Sequence, residues 1–228
     1  MEKLAQDIWI FDGEAVPFLS LPFTTRMTVV RLSDDQLWIH SPIKITEQIQ
    51  AQLAELGTVR FLIAPNHLHH LFLAEWQAAY PNVQCFGTDE VIKKRDDLTF
   101  DASLNDTQVW SWQDEIEQVL FSGSPLMEEC VFFHKASQTL IVTDLVENFP
   151  NTSFNYWQRL VAKGVGILAP NGKMPLDWRL SFLFGKAQAR QHMSQIFEWQ
   201  PEVLVMAHGE IITNNAQSFL KRSFRWLI

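Results

Sequence analysis

The residues with the clearest chemical potential are three histidines within four positions, His67, His69 and His70. They follow the apolar run 59–64, which has the composition of a buried strand. Imidazole is the commonest protein ligand for metal ions, and strand ends are where α/β proteins expose reactive groups. Because packing alone rarely requires so many histidines in so short a segment, we expect this cluster to hold a metal ion.

Two further residues of metal-ligand type end apolar runs later in the chain. Asp144 follows residues 140–143, and His208 follows residues 203–207. An unpaired carboxylate at a buried strand end is costly, and a nearby cation relieves that cost. Three strand ends therefore present candidate ligands for one metal site.

The elements that must position these ligands form two similar halves. In the first half we predict strands at 8–11, 27–32, 36–40, 59–64 and 83–86 and helices at 45–56, 71–80 and 89–95. In the second half we predict strands at 115–121, 130–134, 139–143 and 202–207 and helices at 152–163, 180–199 and from 216 onward. Two halves of strands followed by helices predict an α+β fold, a four-layer αββα sandwich, which we expect to form one domain over residues 1–228.

Composition excludes several classes of function. A net charge of −8 argues against nucleic-acid partners, which require a dense basic surface. The chain shows neither an apolar run long enough to span a bilayer nor a signal-peptide pattern, so we expect a cytoplasmic protein without a membrane partner. Cys85 and Cys130 suit a reducing compartment and offer no Cys-type zinc knuckle. Any metal must therefore rely on imidazole and carboxylate.

This arrangement of strand ends resembles the metallo-β-lactamase superfamily over nearly the whole chain. Residues 66–70, Asn-His-Leu-His-His, resemble its histidine-rich motif, and residues 139–144 resemble the strand that carries its metal-bridging aspartate. Residues 205–209 resemble its closing histidine ligand. The Asn-x-x-His-His motif and Ala207-His208-Gly209-Glu210 look closer still to a branch of unknown function in that superfamily. The resemblance implies the αββα fold and a divalent metal, with zinc first and iron or manganese as alternatives.

The first motif departs from the family's pattern. The family places an aspartate before the last histidine, where it binds the second metal and orients the nucleophilic water. If His67 is the first ligand here, Leu71 and Phe72 occupy those positions. If Asn66 is the first ligand instead, His70 reaches the aspartate position. Neither alignment restores the full motif.

The family's middle histidine has no counterpart here. The equivalent loop, residues 122–129, contains no histidine, although Glu129 or Glu128 could supply an oxygen ligand in its place. The predicted metal ligands that follow from the resemblance are His67, His69, His70, Glu129, Asp144 and His208. Among them, His70 and Asp144 take the catalytic positions.

The implied activity is hydrolysis, in which a metal-bound hydroxide attacks an ester, thioester or phosphoester of a small-molecule substrate without an organic cofactor. The alternative is a metal-binding or metal-free pseudoenzyme that keeps the fold, because losing the water-orienting carboxylate costs orders of magnitude in rate. A di-iron redox centre is compatible with carboxylate ligands, but the short chain carries no flavin-binding or electron-delivery module.

The remaining candidates have ordinary structural explanations. His40 could lie behind the ligands and orient one of them, whereas His134 and His192 suit turns or surfaces. Asp177 and Arg179 flank Trp178 in a predicted loop, and we expect them to form an ion pair that fixes this loop.

Overall fold

The computed structural model describes residues 1–18 and 21–228, and its contacts divide the chain into two compact units. The first unit contains Met1–Glu14 and Thr25–Glu115, and the second contains Ala15–Thr24 and Ile116–Ile228. A seven-stranded sheet and a four-stranded sheet, each accompanied by helices, confirm the predicted α+β class. The expectation of a single domain over residues 1–228 stays a prediction.

The seven-stranded sheet runs in sequence order from β1 to β7. Its strands are β1 (Glu2–Ala5), β2 (Ile8–Phe18), β3 (Leu21–Arg31), β4 (Gln36–His40), β5 (Thr58–Ala64), β6 (Gln84–Gly87) and β7 (Ala102–Ser103). Strands β4 to β7 pair in parallel, so their carboxyl ends lie at the same edge of the sheet. The buried residues of β4 and β5 lie on both faces, as is typical of parallel strands.

Three helices accompany this sheet in the first unit: α1 (Glu47–Ala54), α2 (Leu73–Ala79) and α3 (Asp89–Lys94). Helix α1 begins where the Thr46 hydroxyl accepts a hydrogen bond from the Ile49 N–H. Helix α2 carries Trp76, which is fully buried and donates from Nε1 to the Ile43 carbonyl at 2.7 Å. The aromatic core and this bond fix α2, and with it the histidine-rich turn that precedes it.

The four-stranded sheet of the second unit has the order β11-β10-β9-β8. Its strands are β8 (Ile116–Phe121), β9 (Glu129–His134), β10 (Thr139–Ile141) and β11 (Val203–Val205). Strand β10 is antiparallel to β9 but parallel to β11, and every residue of β9 and β10 is buried. This parallel pair matters for function because the candidate ligands Asp144 and His208 follow its two strands.

The helices of the second unit are α4 (Tyr156–Val165), α5 (Leu176–Ser181), α6 (Lys186–Glu198) and α7 (Ala216–Ser223). Helix α4 starts later than predicted because Asn155 and Gln158 form a capping box, and it ends at Gly166, which has a φ of 88°. In the described part of the chain, no helix is both long enough and apolar enough to cross a membrane.

The helix predicted over residues 180–199 is interrupted in the structure. Helix α5 ends at Ser181 and α6 begins at Lys186. At the break, a Cβ atom on Gly185 would stand 1.8 Å from the Gly123 carbonyl oxygen, so only glycine permits this backbone contact. The helical period of the sequence did not indicate this break, because the break depends on the contact between Gly185 and the distant residue Gly123.

Candidate metal centre

Asp144 and His208 come together because they follow neighbouring parallel strands. Strand β10 pairs Ile141 with Val205 of β11, and each candidate ligand lies three residues beyond its paired residue. The Asp144 Oδ1 atom consequently lies 3.1 Å from His208 Nε2, and both side chains are almost completely buried. The prediction that these two strand ends meet at one point is therefore confirmed.

The hydrogen bonding of His208 determines which ring nitrogen carries a proton. Its Nδ1 atom lies 2.6 Å from the Thr24 carbonyl oxygen, which can only accept, so Nδ1 must donate its hydrogen there. In a neutral imidazole, Nε2 is then an acceptor that faces the Asp144 carboxylate oxygen. Two acceptors at this distance need a proton or a metal cation between them.

The distance between the two candidate ligand atoms also suits a metal ion. Two ligand atoms that bind one tetrahedral zinc ion at about 2.0–2.1 Å are separated from each other by about 3.3 Å. The observed 3.1 Å between Asp144 Oδ1 and His208 Nε2 requires only a few tenths of an ångström of adjustment. A carboxylate and a neutral imidazole with its outer nitrogen bonded to a carbonyl is a typical metal-ligand arrangement.

The loops that carry the two ligands are joined through their backbones. The Asn148 N–H donates to the His208 carbonyl at 3.3 Å, and the Glu210 N–H donates to the Asn148 carbonyl at 2.8 Å. Gly209 has a φ of 99°, and a Cβ atom there would stand 2.3 Å from the Asn148 oxygen. Glycine is therefore required at this position.

The aromatic side chains around His208 restrict its ring. Phe149 stacks on the imidazole with 6.1 Å between ring centroids, and Phe23 approaches edge-on at 5.0 Å. Phe23 and Phe149 belong to a small apolar cluster with Phe154, Ala162 and Ile167. Because the ring is packed on two sides and bonded at Nδ1, the direction of Nε2 is fixed in advance.

Glu129, a predicted metal ligand, lies beside Asp144 in a different role. It begins β9, is fully buried, and its carboxylate accepts hydrogen bonds from the backbone N–H groups of Thr143, Asp144 and Leu145 at 2.6, 2.8 and 2.9 Å. Burial and the nearby Asp144 charge raise the pKa of the Glu129 carboxyl, which these backbone bonds oppose. The carboxylate holds the segment that carries Asp144, and its role as a metal ligand stays a prediction.

Glu147 is a buried acidic residue close enough to Asp144 to feel its charge, and sequence reasoning missed it. Its carboxyl is buried, and Oε2 has no hydrogen-bond partner among the described residues. Burial, together with the charges of Asp144 and Asp177, raises the pKa of Glu147 well above its usual range. In the sequence Glu147 resembles any acidic loop residue; its only signal is the apolar context of residues 140–146.

In the first unit, the histidine cluster lies in a turn between β5 and α2. The Asn66 side chain is buried, and its Oδ1 atom accepts hydrogen bonds from the N–H groups of Leu68 and His69 at 2.9 and 3.2 Å. Asn66 thus shapes the turn that presents the imidazoles. Its alternative role as the first metal ligand stays a prediction.

His69 is oriented by a residue on the neighbouring strand end. Its Nδ1 atom lies 2.6 Å from the hydroxyl oxygen of Ser41, which directly follows β4. Since β4 and β5 are parallel, Ser41 and the turn after β5 lie at the same sheet edge. His40 is also near, and burial together with the His69 charge lowers the pKa of His40 to about 3. Sequence reasoning missed this contact between Ser41 and His69.

His67 and His70 have different partners from His69. The Nδ1 atom of His67 lies 3.0 Å from a carboxylate oxygen of Glu90 on α3. Arg95, which follows α3, donates to the His70 carbonyl at 2.9 Å, and its guanidinium lies 3.4 Å from His70 Nδ1. Burial and the positive charges of Lys94 and Arg95 lower the pKa of His70 to about 4. The three imidazoles are neighbours in sequence but are held by three different groups.

His134 and His192 fit the structural explanations that the sequence suggested. His134 Nδ1 lies 2.7 Å from the Ser137 hydroxyl oxygen at the turn between β9 and β10. His192 Nδ1 accepts a hydrogen bond from the Ser122 N–H at 3.2 Å. Both rings stabilise local structure through these bonds.

Comparison with solved structures confirms the predicted metallo-β-lactamase fold. A metallo-β-lactamase from Erythrobacter litoralis matches with a TM-score of 0.69 and 10% identity, covering 98% of this chain and 93% of that one. A metallo-β-lactamase from Pontibacter korlensis matches with a TM-score of 0.65 and 13% identity, covering 99% and 96%. The metal-soaked Flv1 flavodiiron core from Synechocystis has a TM-score of 0.63 and 12% identity, covering 99% of this chain and 60% of that one. At these identities the likeness concerns the fold alone.

Sequence comparison identifies the family. No curated protein matches the chain in sequence. The family model described as a domain of unknown function, DUF4336, matches residues 5–165, which include the histidine-rich turn and Asp144 but not His208. Because this match spans well over half of the 228 residues, the chain belongs to the DUF4336 family.

Proposed function

We propose that this protein binds a divalent metal ion, zinc in the first place, and uses it to hydrolyse an ester, thioester or phosphoester bond in a small molecule. The observation that carries the proposal is the buried pair of Asp144 Oδ1 and His208 Nε2, which lie 3.1 Å apart while His208 Nδ1 bonds the Thr24 carbonyl. A cation shared between them offsets the cost of burying the Asp144 charge.

The remaining ligands are proposed from the histidine-rich turn. The metallo-β-lactamase resemblance assigns imidazoles of this segment to the metal, and His69 is the first candidate because the Ser41 hydroxyl holds its Nδ1 atom. Nε2 of His69 is then the nitrogen through which it would bind. His67 and His70 remain proposed ligands, although binding through their Nδ1 atoms would require His67 to leave Glu90 and His70 to leave Arg95.

When bound, a divalent cation lowers the pKa of coordinated water and polarises the oxygen of the scissile bond. The protein's own groups prepare this chemistry. The Thr24 carbonyl fixes the tautomer of His208, and Glu129 fixes the backbone that carries Asp144. Burial and the charges of Asp144 and Asp177 raise the pKa of Glu147 well above its usual range, which favours the uncharged carboxyl beside Asp144.

The proposal is tested by elemental analysis of protein purified without an affinity metal. The wild-type chain is expected to retain about one zinc, iron or manganese ion, and Asp144→Asn and His208→Ala are each expected to lose most of it. His192→Gln is the matched control, because this histidine bonds the Ser122 backbone in the same unit. Metal below about a tenth of an equivalent in the wild-type chain, after incubation with each metal, contradicts the proposal.

Hydrolysis is tested separately on the metal-loaded chain with ester, thioester and phosphodiester substrates. Turnover that disappears in His208→Ala but not in His192→Gln supports a hydrolase. Metal binding without turnover of any class supports the alternative, a metal-binding pseudoenzyme. The feature that favours this alternative is the lack of the family's water-orienting aspartate, whose place falls on Leu71 and Phe72 or, in the other alignment, on His70.

A further inference from the structure

A second polar feature lies in the second unit, apart from Asp144 and His208. It is a pocket of about 280 Å³ in which four of the six lining residues carry a positive charge. The lining residues are Lys173, Arg179, Arg222, Ser223, Arg225 and Trp226. The chain as a whole has a net charge of −8, so this concentration of cations runs against its overall composition.

None of the four cations forms an ion pair with a carboxylate in the described part of the chain. Among the described residues, no carboxylate oxygen lies within 4.0 Å of these side chains, and the ion pair expected between Asp177 and Arg179 is not formed. Arg179 donates instead to the Val165 carbonyl at 3.1 Å, and Arg222 donates to the Pro170 carbonyl at 3.4 Å. Burial lowers the pKa of the Arg179 guanidinium, and Asp177 only partly opposes this. The charge of the pocket therefore suits an anion.

Two of the lining residues also carry buried donors. Arg179 Nε and Trp226 Nε1 are both inaccessible to solvent and have no hydrogen-bond acceptor among the described residues. Buried N–H groups without acceptors are rare in native proteins and usually mark an ion, a water or a ligand. Both atoms can only donate, so any group that pairs with them must be an acceptor.

The walls of the pocket are held in place by bonds that do not involve the cations. The Ser223 hydroxyl on α7 donates to the Gly172 carbonyl at 2.7 Å, and the Gly172 N–H donates to Asn148 Oδ1 at 3.2 Å. A Cβ atom on Gly172 would stand 2.1 Å from the Glu147 carbonyl oxygen, so this contact requires glycine. The loop and α7 are joined before any ligand arrives, which lowers the ordering cost of binding.

We propose that this pocket binds the phosphate group of a small phosphorylated molecule. Phosphate combines a charge near −2 with several acceptor oxygens, and the planar guanidinium of arginine matches it with paired hydrogen bonds. A carboxylate offers one charge and two oxygens to four cations. The pocket is also larger than a single phosphate, so it leaves room for the group to which the phosphate is attached. The proposal does not depend on the proposed metal function.

The test is isothermal titration calorimetry of inorganic phosphate and pyrophosphate into the full chain in the presence of EDTA, which prevents binding through a metal. The wild-type chain is expected to bind pyrophosphate saturably, and Lys173→Gln, Arg179→Gln and Arg225→Gln are each expected to weaken this binding about tenfold. Lys221→Gln is the matched control, because Lys221 is on the same helix as Arg222 but does not line the pocket. Its affinity is expected to stay within about twofold of wild type.

Two results would overturn the proposal. One is no saturable binding of either anion up to about 10 mM. The other is an equal loss of affinity in Lys221→Gln and Lys173→Gln, which would indicate general charge attraction. Urea unfolding of each variant separates lost binding from lost folding. Sedimentation with phosphatidylcholine vesicles that contain phosphatidic acid identifies the source of the phosphate. Binding to these vesicles that is abolished in Arg225→Gln assigns the phosphate to a lipid headgroup. Binding of pyrophosphate without binding to the vesicles assigns it to a soluble molecule.

Discussion

Replacing Glu129 by glutamine separates two roles for this carboxylate, positioning Asp144 or binding the metal. In the structure both carboxylate oxygens are engaged, with Oε1 accepting from the Thr143 N–H and Oε2 from those of Asp144 and Leu145. A glutamine of the same shape offers one oxygen and one NH2 group. Its best orientation keeps the oxygen on the side with two donors and turns the NH2 group toward the Thr143 N–H.

The expected loss of stability follows from this mismatch. Two buried donors, the Thr143 N–H and the new NH2 group, are left without acceptors at about 1–3 kcal/mol each. Removing the Glu129 charge relieves its repulsion with Asp144, which offsets part of the loss. We therefore expect Glu129→Gln to lower the free energy of unfolding by about 2–4 kcal/mol, whether or not metal is bound.

Urea unfolding followed by tryptophan fluorescence measures this difference in EDTA and again with saturating zinc. The matched control is Glu202→Gln, an exposed glutamate of the same unit, which is expected to change stability by less than about 0.5 kcal/mol. A positioning role predicts the full loss in EDTA. If Glu129→Gln is as stable as wild type in EDTA and loses stability only with zinc, Glu129 is a metal ligand and the positioning argument is refuted.

Three further predictions concern other parts of the chain. Gly209→Ala should lower the free energy of unfolding by about 1–3 kcal/mol, because Gly209 has a positive φ and a Cβ atom there would stand 2.3 Å from the Asn148 oxygen. Gly164→Ala is the control in the same thermal unfolding assay, and it should raise stability slightly because Gly164 lies in a helix with open space around it. The hydrogen bond from Arg31 lowers the pKa of Asp7, so this pair should stabilise the fold above about pH 4 and lose its effect as the pH falls through the lowered pKa. Asp7→Asn should therefore flatten that part of a curve of stability against pH, and an unchanged slope would contradict this prediction. Both cysteines are buried and their thiol pKa values are raised, so neither should react with a thiol reagent at pH 8 in the native chain, and both should react in urea; rapid native labelling would contradict this.

The parts of the site that the sequence predicted are those that depend on strand ends. Asp144 and His208 each follow a short apolar run, and parallel neighbours place such residues at one sheet edge. Strand ends were therefore sufficient to identify this pair. The bounds of most central strands were also predicted, whereas β1 and β7 were missed because they are short and have no fully buried residue.

The parts that the sequence did not predict depend on side-chain direction and on backbone partners. Nothing in the spacing of His67, His69 and His70 indicates that each takes a different partner, since that depends on the turn held by Asn66. The Thr24 carbonyl that fixes His208 comes from a segment 184 residues away, and any residue type could supply a carbonyl. Backbone acceptors leave no trace in composition or periodicity.

The cationic pocket is a second case in which side-chain partners could not be predicted from the sequence. Arg179 was expected to pair with the acid two residues before it, because the two charges are close in sequence. In the structure Arg179 faces a backbone carbonyl, and the other cations that line the pocket come from residues 173 and 222–225. Only the fold shows that these cations share one pocket, in which no described carboxylate forms an ion pair with them.

The most direct test of the central claim is a crystal structure of the zinc-incubated chain with anomalous data collected on both sides of the zinc absorption edge. The account predicts a zinc peak about 2.0–2.2 Å from both Asp144 Oδ1 and His208 Nε2, with the His208 Nδ1 bond to the Thr24 carbonyl unchanged. A structure without zinc at this position, in which a direct hydrogen bond joins Nε2 to the carboxylate, would show that a proton bridges the pair and would contradict the proposed metal centre.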